Sequence, residues 1–158
     1  MGQTMLDIQP LGKHHNKQGF DCGNESINRY LQQMASQHCK KGIAQVHALA
    51  DGANIQAFYT LSAISLNNEQ GAVKGYPNQI PAVLIGRLGV AIEQQGKGIA
   101  NQLISHAMHQ AKAISTMAGV AFVIIDAKTE TLAEYYTNLG FVRLPSSPLR
   151  LVYPISQI

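Results

Sequence analysis

Residues Leu84–Met117, LIGRLGVAIEQQGKGIANQLISHAMHQAKAISTM, constrain this chain more than any other stretch. An apolar run enters a short polar turn whose glycines, Gly96 and Gly98, are one residue apart, and a long helical pattern follows. The first turn of a helix leaves its backbone N–H groups without intrahelical partners. A strand feeding such a turn gathers them in one place, and with the helix dipole they form an anion site suited to a pyrophosphate. A chain built around this unit is α/β, holds a phosphate-bearing cofactor there, and aims a second substrate at it with its remaining residues.

The flanking sequence supplies the rest of such a fold. Met5–Leu11 reads as a first strand, ended by Pro10 and Gly12, and His14–Gly23 as loop. Asn24 is a good N-cap for a helix running to about Lys40, with Ile27, Tyr30, Leu31 and Met34 at helical spacing and Gly42 as its stop. Lys40 and Lys41 complement the dipole at that end and suit ligand contact equally well. Ile43–Ala50 and Ile55–Leu66 read as a hairpin around Asp51-Gly52, and Asn67–Gln79 as a surface loop. Pro81–Ala91 is apolar on both faces except at Arg87, which marks a central strand. An arginine there must snorkel, or pair with an acid or a ligand phosphate. The helix Lys97–Met117 sets Ile99, Leu103, Ala107, Ala111, Ile114 and Ala118 on one buried stripe and ends at Gly119. Val120–Ala127 reads as a buried strand, and Thr129 as the cap of a helix Glu130–Leu139 closed by Gly140. Phe141–Leu144 and Leu149–Ile155 are the final strands, around Pro145–Pro148. The order β-α-β-β-β-α-β-α-β-β, without repeat or linker, predicts one domain, residues 1–158, with a mixed sheet.

Composition narrows the setting. With 46% apolar and 13% charged residues the chain is globular, and no apolar run approaches the ~20 residues that span a bilayer. No signal peptide or myristoylation pattern opens the sequence, so a cytoplasmic protein without a membrane partner is expected. Cys22 and Cys39 sit in no CxxC or Cys/His cluster and are expected as free thiols. His106 and His109 stand at i, i+3 without HExxH or a partnering carboxylate; they read as a solvated helix face, and no metal is expected. A net charge of +3 permits an anionic partner without announcing nucleic acid.

Two common phosphate motifs are set aside. In GxxxxGK[ST] the lysine precedes a hydroxyl residue, whereas Lys97 precedes Gly98; GxGxxG is only half present, its third position being Asn101. Gln95-Gly96-Lys97-Gly98-Ile99-Ala100 instead matches Q/R-x-x-G-x-G/A. At these residues the chain resembles the GNAT N-acetyltransferases, whose turn wraps the pyrophosphate of acetyl-CoA. The resemblance implies a GNAT fold, with a mixed, mostly antiparallel sheet, flanking helices and acetyl-CoA at splayed central strands. It assigns the co-substrate to Gln95, Gly96, Lys97, Gly98, Ile99, Ala100 and Asn101, with Leu88, Gly89 and Val90 pairing the pantetheine arm. Glu134-Tyr135-Tyr136-Thr137-Asn138-Leu139-Gly140-Phe141 matches the x-x-Y-x-x-x-G-F ending of the family. Carried over, Tyr136 protonates the departing thiolate; a phenol of pKa ~10 is matched to that task. Tyr135, one residue earlier, reads as structural.

A fuller resemblance runs through Gly19-Phe20-Asp21-Cys22-Gly23, the helix ending in Lys-Gly, Phe58-Tyr59-Thr60-Leu61-Ser62, Gly86-Arg87-Leu88-Gly89-Val90 and the QGKG turn. These look like the GNAT toxins of type II toxin–antitoxin pairs, which acetylate the α-amino group of aminoacyl-tRNA. The resemblance implies a block on translation, a ribbon-helix-helix antitoxin that alone contacts operator DNA, and a homodimer. The acids agree: none of the nine lies within Pro81–Ala91, where a general base could face the acetyl carbon. A lysine amine would need such a base, whereas the α-amine of an aminoacyl ester is largely neutral at about pH 7–8. Positioning alone could then suffice, with the Val90 N–H polarising the thioester carbonyl. Arg87, Lys40, Lys41 and Arg29 are the candidate contacts to tRNA, although the toxins carry more arginine on the first helix and the following strand, where this chain has Arg29, Lys40, Lys41, Gln45 and His47. Arg87 could equally brace the sheet. The alternatives are a GNAT acting on a small-molecule amine or a protein N-terminus, and a CoA-binding module without catalysis.

Overall fold

Seven strands and four helices form in a computed structural model that describes residues 7–68 and 71–158. The strands are β1 (Ile8–Pro10), β2 (Gln45–Asp51), β3 (Asn54–Asn67), β4 (Gln79–Val90), β5 (Phe122–Asp126), β6 (Val142–Leu144) and β7 (Ser147–Pro154). The helices are α1 (Glu25–Gln33), α2 (Ala35–Lys41), α3 (Ile99–Ser115) and α4 (Glu130–Asn138). The strands make one seven-stranded sheet in the order β1-β2-β3-β4-β5-β7-β6. β4 runs parallel to β5, while β1–β2, β2–β3, β5–β7 and β6–β7 are antiparallel. This is the expected mixed, mostly antiparallel α/β sheet, with Arg87 on a central strand.

Local chemistry explains most boundaries. The Asn24 side chain accepts from the amides of Ser26 and Ile27, Thr129 accepts from Leu132, and Gly42 ends α2 at φ 72°. Several expected limits shift. Met5 and Leu6, expected in the first strand, lie outside the described residues, as do 69 and 70 of the expected loop. The hairpin turns at Gly52-Ala53, one residue beyond Asp51-Gly52, because Asp51 still pairs with Asn54. Ala118, expected on the buried stripe, is exposed, since α3 closes at Ser115 and hydrogen-bonded turns carry the chain on to Gly119. The single helix expected from Asn24 to Lys40 is two helices, broken at Met34 (φ −120°, ψ −28°). The break has a structural use. Tyr30 and His38 would lie about 12 Å apart along an unbroken helix, yet the Tyr30 hydroxyl sits 3.0 Å from His38 Nδ1.

The chain divides into two compact units. One comprises Met1–Leu61 and Arg87–His106; its core packs Phe20, Tyr30, Leu31 and Ala35 on Val46, Ala48, Ile55, Phe58 and Ala91. The other comprises Ser62–Gly86 and Ala107–Ile158, with a core of Leu66, Ile80, Ala82, Phe122, Ile124, Leu144 and Val152. No helix among the described residues is long and apolar enough to cross a membrane.

Candidate active site

The glycine turn is built as a cradle. After β4 a single 3-10 turn, Ile92–Gln94, leads to extended Gln95, and Gly96 (φ 78°) and Gly98 (φ 80°) then take left-handed backbone before α3 begins at Ile99. Any side chain is disfavoured at those angles. A Cβ placed on either glycine would meet nothing within 4 Å, so the space before the turn is open to a ligand. Gln95, Gly96, Lys97 and Gly98 are exposed, as is Asn101, while Ala100 is half-buried and Ile99 is in the core. Gln95 holds the turn: its Nε2 donates to the carbonyls of Cys22 and Val90, each at 2.9 Å. The positive end of a 17-residue helix faces this opening.

The end of β4 offers a second set of backbone groups. The Ala91 amide donates to Gln56 on β3 and the Arg87 amide to Thr60 Oγ1, also on β3, both at about 2.9 Å or less. Backbone groups alternate in direction along a strand, so Leu88 and Val90 turn theirs away from β3. β4 pairs with β5 from Ala82↔Phe122 to Ile85↔Ile125, and β4 continues to Val90. Gly89 is explained by packing: a Cβ there would meet Ile27 Cγ2 at 2.9 Å and the rings of Phe20 and Phe58 at 3.3 Å.

Arg87 does something the sequence did not suggest. Its guanidinium lies over the Tyr30 ring, 3.9 Å from the centroid, and among the described residues no carboxylate pairs with it. Neither an acid nor deep snorkelling is needed, because the side chain is exposed and rests on an aromatic face. Arg29 is exposed on α1, next to Tyr30, and Lys40 and Lys41 are exposed in the last turn of α2.

In the other unit, Tyr136 is buried on α4 at 7% exposure, against Phe141 and with the Tyr135 ring at 5.4 Å. Burial, and then Tyr135, push its pKa above the ordinary phenol value. Gly140 (φ 105°) closes the helix, and its α-carbon packs so near Tyr153 that a Cβ would sit 3.1 Å from that ring.

A buried aromatic and histidine cluster went unforeseen. His106, expected on a solvated face, has Nδ1 2.7 Å from the Tyr59 hydroxyl, and the His47 ring stacks on Tyr59 at 5.0 Å. Burial, reinforced by His106, lowers the His47 pKa to about 4. His47 faces Tyr59 because a bulge between Leu49 and Ala50 moves the hairpin register by one residue. Counting back from the Asp51 turn would instead have placed Phe58 opposite His47.

Comparison with known proteins agrees with this geometry. A family model described as an acetyltransferase (GNAT) domain matches residues 60–143, more than half of the chain. A probable toxin TacT of Sinorhizobium fredii is 25% identical over 99% of this chain and 95% of its own length. A tRNA-acetylating toxin of Mycobacterium tuberculosis is 24% identical over 84% of this chain and 82% of its own. Among solved structures, AtaT complexed with acetyl-methionyl-tRNAfMet has a TM-score of 0.87 at 26% identity, covering 97% of this chain and 96% of that one. A tyrosine-to-phenylalanine mutant of KacT has a TM-score of 0.86 at 26% identity, covering 98% and 97%. AtaT has also been solved with acetyl-CoA and with the C-terminus of its antitoxin AtaR, and KacTA with DNA. With its strand, glycine turn and helix in place, and more than half its length matched by the family model, this chain belongs to the GNAT acetyltransferase family.

Proposed function

We propose that this protein transfers the acetyl group of acetyl-CoA to the α-amine of an aminoacyl-tRNA, as a toxin that stops translation. The observation that carries the reading is the open left-handed turn at Gly96 and Gly98, locked by Gln95 and standing at the head of α3. Likeness to a tRNA-acetylating toxin over 84% of the chain, and to AtaT complexed with acetyl-methionyl-tRNAfMet over 97% of it, supports the choice of acceptor.

In this reading the amides of Gly96, Gly98, Ile99, Ala100 and Asn101, with Lys97 beside them, hold the diphosphate, and Leu88–Val90 pairs the pantetheine arm. Acetyl-CoA, when bound, supplies an acetyl group activated as a thioester. The Val90 amide, whose own carbonyl is tied back by Gln95, donates to the carbonyl oxygen as charge develops there. Tyr136 keeps its proton at neutral pH, because burial resists the phenolate, and gives it to the thiolate as the C–S bond breaks; the amine nitrogen, on forming the C–N bond, sheds the proton that restores the phenol. No carboxylate base is assigned, since the acceptor amine of an aminoacyl ester is already largely uncharged near pH 7–8. Arg87, Arg29, Lys40 and Lys41 contact the tRNA backbone. The same reading makes residues 1–158 one GNAT domain acting in the cytoplasm as a homodimer, neutralised by a ribbon-helix-helix antitoxin through which operator DNA is reached.

The test incubates the protein with labelled acetyl-CoA and total charged tRNA, then identifies the labelled aminoacyl ester. Label in N-acetyl-aminoacyl-tRNA supports the reading. Label that persists in small amines or protein N-termini after ribonuclease treatment, with none in tRNA, overturns it.

A further inference from the structure

We propose that Tyr30 is a positioning residue, its ring a platform that presents Arg87 as a pre-oriented receptor for a phosphodiester of the acceptor. This deepens the tRNA reading and rests on it. The geometry is specific. The Arg87 guanidinium lies 3.9 Å from the centre of the Tyr30 ring, and the Arg87 backbone is pinned by its amide to Thr60 Oγ1 at 2.9 Å. Tyr30 is itself immobilised at 2% exposure: its hydroxyl is 3.0 Å from His38 Nδ1, and the Phe58 ring runs parallel to it at 6.5 Å. Residues from α1, α2, β3 and β4 therefore converge to fix one exposed cation.

The choice of partner matters. A carboxylate would neutralise the arginine and occupy the N–H fork that reads an anion bidentately. An aromatic face holds the guanidinium flat through its π-cloud, yet leaves the edge N–H groups and the full charge available. Among the described residues no carboxylate pairs with Arg87. The break at Met34 belongs to the device, since it brings His38 within reach of the Tyr30 hydroxyl. Aminoacyl-tRNA carries a phosphodiester next to its terminal aminoacyl-adenosine, so a receptor here orients the ester without touching the reacting atoms.

The experiment compares steady-state kinetics with aminoacyl-tRNA and with a phosphate-free 3′-aminoacyl-adenosine. Tyr30→Leu and Arg87→Gln are expected to raise KM for aminoacyl-tRNA roughly ten-fold while kcat changes less than about two-fold. The phosphate-free acceptor should not distinguish either variant from wild type. Tyr30→Phe, which keeps the ring, should restore most of the affinity. Should Tyr30→Leu fail to fold, as judged by circular dichroism, Arg87→Lys decides. A lysine keeps the charge but cannot lie flat, so a loss close to that of Arg87→Gln supports the platform, and wild-type behaviour overturns it. A KM rise of equal size with the phosphate-free acceptor also overturns it. If wild-type enzyme acetylates no aminoacyl-tRNA, the tRNA reading falls and the platform with it; if it uses both acceptors equally well, the platform alone falls. If wild type prefers aminoacyl-tRNA and the folded variants behave like it, the platform alone falls.

Discussion

Tyr136 is buried, His47 is half-buried, and both are titratable; desolvation moves their pKa values in opposite directions. Burial raises the Tyr136 pKa, with Tyr135 adding to it, so the phenol remains a proton donor throughout the neutral range. Tyr136→Phe removes one oxygen from a well-packed position and should leave the affinity for acetyl-CoA, read by titration calorimetry, within about two-fold of wild type. Turnover should fall ~10²-fold or more; unchanged turnover removes Tyr136 from the chemistry. His47 is held neutral, its pKa lowered to about 4 by burial and by His106. The unfolded chain then takes up a proton that the folded chain refuses. This contribution is whole above about pH 6.5 and is lost as pH falls through 4, a total on the order of 3 kcal/mol. His15, also lowered by burial first of all, acts in the same sense. The carboxylates Asp21 and Glu130, lowered by a backbone hydrogen bond from Gly23 and by Arg143 respectively, lose their contributions in more acid solution. Urea midpoints should therefore drop between pH 6.5 and 4.5 in wild type and drop less in His47→Phe. An identical slope in the two proteins would locate the titrating group elsewhere.

At the scale of elements, the turn between β4 and α3 is the part whose conformation is dictated residue by residue. Gly98→Ala forces an L side chain into left-handed backbone, a cost of roughly 1–2 kcal/mol, although the space in front of it is open. The turn should relax away from its cradle. We expect the Kd for CoA to rise about ten-fold with little change in the thermal midpoint, and unaltered CoA binding would detach the turn from the diphosphate. This element was legible in the sequence because its signals are local: an apolar run, two glycines and a helical period. The caps Asn24, Gly42 and Thr129 were legible for the same reason. What escaped detection depends on distant partners. Nothing around Met34 marks a helix break, and the break is fastened by Tyr30 and His38 meeting across it. The Leu49/Ala50 bulge has no glycine to announce it, so the facing of His47 and Tyr59 could not be counted from the turn. Arg87 stood out as an anomaly on an apolar strand, but its aromatic partner lies on α1, and no spacing rule links the two.

For the molecule as a whole, the question the proposed function raises is how a chain with a formal charge of only +3 would engage a polyanion. Each neutralised phosphate contributes to affinity through counterion release, and a surface with few cations gathers few such contacts. Placement must compensate for number. Arg87 on its aromatic rest, Arg29 beside Tyr30 and the lysine pair closing α2 all belong to the unit that also carries the glycine turn. A dimer would present two such sets to one tRNA. Under the proposed function, binding built this way would be local to the acceptor end, where the acetyl group would be transferred, and acetylated aminoacyl-tRNA would accumulate at the expense of translation. Expression of the wild-type chain alone in a bacterial host should therefore halt growth and the incorporation of labelled amino acids into protein. The Tyr136→Phe form, expressed to the same level, should do neither. Co-expression of a cognate ribbon-helix-helix antitoxin should restore both in the wild-type culture. Normal growth with soluble wild-type protein present would count against a toxin and return the acceptor to a small amine or a protein N-terminus, since those acetylations would leave translation running.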